Sequence, residues 1–160
     1  MDIEISRTAG GNVPTFRWQT EGGETDIQAG QPVKLKAAGS PYVIPLADGD
    51  LTIGTDTAMV GIAASDSTHT ASADGVVDVY IPMPGVVYKC AATTAANVDT
   101  QAEIDALVGD RVTVDLSGGT YTIDEDATDG ADNAFYIVGG NPDDQTLEFI
   151  IRADATVLAA

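Results

Sequence analysis

The chain has 160 residues, with 25 acidic side chains against 7 basic ones and a formal net charge of −18. That balance argues against nucleic acid and against an anionic membrane surface as partners, because both are held by Lys and Arg. A single His and a single Cys exclude an intrachain disulfide and leave no ordinary zinc or thiol-nucleophile set. A chain of this length can form one domain, or one domain with an arm. It buries roughly 70% of its unfolded surface, enough to fold without a cross-link or a metal.

In chain order, residues 1–30 differ from the rest. Residues 1–5 and 15–20 alternate apolar and polar side chains and are separated by Gly10, Gly11 and Asn12. In the second run Phe16 and Trp18 share one strand face and Arg17 takes the other. Glu21-Gly22-Gly23-Glu24 ends the pattern. The stretch reads as an extended N-terminal arm with strand character, followed by a β-rich domain over residues 31–160.

Strand signals are dense from Gln31 onward. Val33 and Leu35 alternate with Lys34 and Lys36, residues 42–46 follow, and Asp48-Gly49 marks a turn before Leu51-Thr52-Ile53. Residues 59–63, 76–83 and 86–90 are further candidates, with Pro82 and Pro84 marking an edge or an end. One helix is expected over residues 100–108. Thr100 and Glu103 form a capping box, Ile104, Leu107 and Val108 make an apolar stripe, and Gly109 stops it. Val112, Val114 and Leu116 then alternate with Arg111, Thr113 and Asp115, and a turn over Ser117-Gly118-Gly119-Thr120 returns the chain as a hairpin. Residues 135–138 and 146–153 are the last strands, joined by Gly139 to Asp144. Many short strands between turns predict a mainly-β fold, a small barrel or sandwich with one short helix.

The chemistry-bearing residues are few. His69 lies in a polar stretch with no second His. Cys90 lies among apolar neighbours and reads as a small core residue. The acidic run at residues 124–132 offers oxygen ligands for calcium, but Gly130 falls one place late for an EF-hand loop and no Glu follows at position twelve. A solvated loop is the plainer reading. No nucleophile elbow, P-loop or dinucleotide fingerprint occurs. The expectation is a protein that is not an enzyme, with no catalytic residues, metal or cofactor. Phe16, Arg17 and Trp18 are the residue types that anchor interfaces, although Phe16 and Trp18 could equally pack on a β core. The start, MDIEISRTAGG, has no basic end followed by an apolar core, and no apolar run approaches the ~20 residues of a membrane span. Synthesis and folding in the cytoplasm are therefore expected.

The order AGQPVKLK at residues 29–36, AMVGIAASDS at 58–67, GVVDVYIPMPGVV at 75–87 and TLEFIIRAD at 146–154 resembles the capsid decoration (head-stabilising, cement) proteins of tailed bacteriophages. The resemblance implies a small β-rich virion protein on the exterior of an expanded capsid, clamping neighbouring major capsid subunits. It implies a homotrimer, and a capsid contact through an arm that here would use Ile3, Ile5, Phe16, Arg17 and Trp18. Another phage structural part, such as a tail or head-fibre component, and a calcium- or glycan-binding β module are the alternatives.

Overall fold

The computed structural model describes residues 3–8, 12–47, 59–128 and 133–156. The turn expected at Asp48-Gly49, the extended run at residues 51–53 and the end of the acidic run at residues 129–132 lie outside the described residues.

Two antiparallel sheets face each other. The strands are β1 (Glu4–Thr8), β2 (Thr15–Thr20), β3 (Pro32–Leu35), β4 (Val43–Pro45), β5 (Met59–Ala63), β6 (Gly75–Tyr80), β7 (Val86–Ala91), β8 (Arg111–Ser117), β9 (Thr120–Asp124), β10 (Phe135–Asn141) and β11 (Thr146–Ile151). The six-stranded sheet has the order β1-β7-β11-β10-β8-β9, and the five-stranded sheet β2-β6-β5-β3-β4. The fold is mainly β and sandwich-like, as expected, without a closed barrel. The smaller sheet does curl: Gln19 at the end of β2 forms a bridge to Tyr42 just before β4, so its two outer strands approach each other at one end.

The apolar run of β5 shows why there are two cores. All five of its residues are buried. Met59 and Ile62 face the large core between the sheets, with Tyr88, Phe135, Phe149 and Leu147 from the six-stranded sheet. Val60 and Ala63 face a second, smaller core with Val33, Val43, Val77, Val79 and Ile27. A strand buried on both faces must be apolar throughout, which is how MVGIA differs from the alternating strands. The loop through Ile27 covers the small core. It is tied down by Ser67 N–H to the Ile27 carbonyl at 2.8 Å and Gly30 N–H to the Ala63 carbonyl at 2.8 Å.

The segment expected as an arm is extended, but its strands are integrated into the body. β1 is the outer strand of one sheet, paired to β7, and β2 the outer strand of the other, paired to β6. Ile3 and Ile5 at the large core, and Trp18 at the small one, gain more by packing there than by standing in water.

The helix α1 (Gln101–Leu107) forms where the sequence places it, with both halves of the Thr100–Glu103 capping box made. Ile104 is fully buried and packs over Gly140 of β10. Val108 departs from the expected stripe: it is the C-cap, has extended dihedrals and is 49% exposed. Gly109, at a φ of 97°, ends the helix. A helix of seven residues depends strongly on its cap. Thr100→Ala is expected to lower stability by about 1 kcal/mol, read from the urea midpoint.

The β8–β9 hairpin turns on Gly118 and Gly119, both at positive φ (61° and 86°), as a two-residue hairpin loop requires. Gly139, Gly140 and Asn141 were expected to be connection; they instead extend β10, which accommodates them with a bulge between Ile137 and Gly139. Gly140 suits that position because a side chain there would meet the Thr146 carbonyl at 2.5 Å.

Candidate interaction surfaces

The five residues expected to make a contact through the arm separate in the structure. Ile3 is 2% exposed and belongs to the large core, and Ile5 packs against that core half-buried. Ile3 is thus a core residue. On β2 the register pairs Phe16 with Val79, Arg17 with Asp78 and Trp18 with Val77. Phe16 and Trp18 therefore share the face of the small core, as the alternation predicts. Trp18 packs on that core, whereas Phe16, nearer the open start of the strand, stays 57% exposed. Arg17, on the opposite face, holds Asp78 at 2.9 Å. Only Phe16 and Arg17 of the five present most of their surface to solvent.

Several acidic residues hold loops. Asp74 accepts the Gly22 N–H at 2.9 Å and the Tyr42 hydroxyl at 2.8 Å. The Asp66 carboxylate accepts the Ala29 N–H at 2.9 Å. The Gly22 N–H, then Tyr42, hold the Asp74 carboxyl below its ordinary range. Arg17 does the same for Asp78, and Arg152 for Asp154. Each such lowered group contributes stability that is present above the ordinary carboxylate range and is lost as the pH falls through it.

The described part of the acidic run follows this pattern. Asp124 accepts the N–H groups of Asp126 and Ala127, both at 3.2 Å. Glu125 is 2% exposed and accepts the N–H groups of Thr93 and Thr94 at 3.0 Å and the Asn97 amide at 3.1 Å. Sequence reasoning missed this role, because the donors lie about thirty residues away and no local pattern marks them. Glu125→Gln places an N–H₂ among these donors and is expected to cost about 2 kcal/mol, measured as a shift in the urea midpoint at unchanged slope.

His69 is buried. Its Nε2 lies 3.0 Å from the Glu24 carbonyl and 3.4 Å from the Asp26 carboxylate. Its Nδ1 is buried without a partner among the described residues. Cys90 is fully buried in the large core, as its apolar neighbours suggest. Among the described residues, no group of three or more His, Cys, Asp or Glu is placed to hold a metal ion.

A second exposed apolar area escaped the sequence. Met83, 46% exposed, lines a cavity of about 430 Å³ with Tyr136, Ile150 and Arg152. The Arg152 guanidinium stands 5.7 Å over the Tyr136 ring. These residues come from distant parts of the chain; the register of β10 and β11 places Tyr136 opposite Ile150, with Arg152 just past the end of β11.

The fold and these surfaces define a mainly-β body with exposed apolar points on an outer strand and on one outer face. No family model matches the chain, and no curated protein is similar enough to count as a relative. No helix among the described residues is long and apolar enough to cross a membrane.

Proposed function

We propose that the chain is a structural virion protein that binds the exterior of an expanded phage capsid and stabilises it by clamping neighbouring major capsid subunits. It acts as a homotrimer on the capsid exterior, after synthesis in the host cytoplasm. The observation that carries this reading beyond the resemblance is the outer strand β2. Its residues 15–20 pair in unbroken register with β6 on one side. On the other side the described contact is the bridge from Gln19 to Tyr42, at the end far from Phe16. Phe16 stands on the sheet face near the start of this strand, 57% exposed. An outer strand that is laddered on one side among the described residues and carries an exposed aromatic can extend a neighbour's sheet, main-chain hydrogen bonds giving affinity and the ring giving an anchor. A two-sheet body with a buried core supplies the stiffness that a clamp needs, and three-fold repetition multiplies a modest contact through avidity.

Co-sedimentation with empty heads of the cognate capsid tests the reading. Saturable binding to expanded heads and none to unexpanded ones is the expected result. Equal binding to both forms, or to neither, rejects it. Density on the head that is strictly monomeric removes the trimer.

A further inference from the structure

We propose that the cavity between the β8–β9 hairpin and the end of β4 receives a single Lys or Arg side chain of a protein partner. The cavity measures about 350 Å³, near the lower bound of the roughly 300–1,000 Å³ typical of ligand sites. It therefore suits one long side chain better than a cofactor-sized molecule.

Its floor is Leu46 and Tyr121, both buried. The Tyr121 hydroxyl donates to the Leu46 carbonyl, so the floor is mainly carbon. Ile44 and Leu116 form half-buried walls. Glu24 and Asp26 also line it, and among the described residues the lining holds no Lys, Arg or His. Glu24 shares the Lys36 ammonium with Glu21. That sharing, Glu21 first and then Glu24, keeps the Lys36 ammonium well above its ordinary pKa and firmly charged. Asp26 has its side chain 83% exposed, with the buried His69 Nε2 at 3.4 Å.

The arrangement is therefore an apolar slot with negative charge at its mouth. An aliphatic stem ending in a cation satisfies both parts: the stem covers Leu46 and Leu116, and the head reaches Asp26 without leaving water. A neutral apolar side chain would leave the exposed Asp26 carboxylate unmatched, and an acidic one would be repelled by it and by the −18 chain. Thr25, Asp26 and Gly119 are exposed at the rim, so a segment of another protein can approach. This assignment stands apart from the capsid reading, and its test uses no heads.

The test is titration of the full chain with two capped pentapeptides, Gly-Leu-Lys-Leu-Gly and the same peptide with norleucine in place of Lys, followed by backbone amide shifts. The Lys peptide is expected to move the amides of Leu46, Leu116 and Tyr121 and to bind about three- to five-fold tighter than the norleucine peptide at low salt. That preference is expected to shrink as salt is raised. Asp26→Asn removes the preference while leaving norleucine binding unchanged. Thr25→Lys, which places the chain's own ammonium at the rim, blocks the Lys peptide. Equal binding of the two peptides, shifts centred elsewhere, or no effect of Asp26→Asn overturns the proposal. Binding of free n-butylammonium as tight as that of the Lys peptide overturns the protein partner in favour of a free amine.

Discussion

Phe149→Ala is expected to lower folding stability by about 3–5 kcal/mol, enough to threaten the native state of an ordinary domain. Phe149 is fully buried at the centre of β11. Its ring meets Phe135 edge-on at 4.9 Å and stacks on Tyr88 at 5.9 Å. Truncation removes the contact with both neighbouring rings and leaves a cavity that two hydrogen-bonded sheets cannot close. The neighbouring change Tyr88→Phe has the opposite sign. The Tyr88 hydroxyl is buried without a partner among the described residues, so removing it is expected to gain up to about 1 kcal/mol. The two variants also differ in alkali. Burial, and secondarily Tyr80, raises the Tyr88 phenol above its ordinary pKa. Its share of stability is intact below the unfolded value near pH 10 and is lost as the pH rises through the folded one. Tyr88→Phe therefore flattens the alkaline limb of the stability profile. Denaturant midpoints at neutral pH and above pH 10 check all three statements, and a neutral Phe149→Ala would mean the ring stack lies elsewhere.

Trp18 and Phe16 should respond in opposite ways although they sit two residues apart on one strand face. Trp18 packs on the small core, so Trp18→Ala is expected to destabilise the isolated protein by about 2–3 kcal/mol, somewhat below the cost for a fully buried aromatic. Phe16 is mostly in water, so Phe16→Ala should move the melting temperature by less than about 2 °C. If β2 is the capsid-binding edge, the same Phe16 variant weakens head binding by ~2 kcal/mol or more, roughly thirty-fold in Kd. Melting temperature and head binding, measured on both variants, separate a core role from an anchor role. An unchanged head affinity for Phe16→Ala would take β2 out of the mechanism.

Much of the local structure was legible because its causes are local. The capping box, the alternation of Val112, Val114 and Leu116, the Gly118-Gly119 turn and the burial of Cys90 follow from the side chains of each short stretch. The shared face of Phe16 and Trp18 follows from a period of two. The sequence by itself thus determined a mainly-β chain with one short capped helix, an acid-rich surface and few reactive groups.

What only the tertiary structure decided depends on pairs far apart in the chain. Alternation marks a strand face as apolar but not what covers it. It could not say that β1 and β2 enter different sheets, that Ile3 is core while Phe16 is exposed, or that β5 serves two cores at once. Nor could it show Glu125 accepting N–H groups from residues 93 and 94, or Glu24 and Asp26 lining one cavity with Leu116. Those contacts join elements separated by about thirty to ninety residues. Their energy comes from burial and hydrogen bonding between elements, which no local preference encodes.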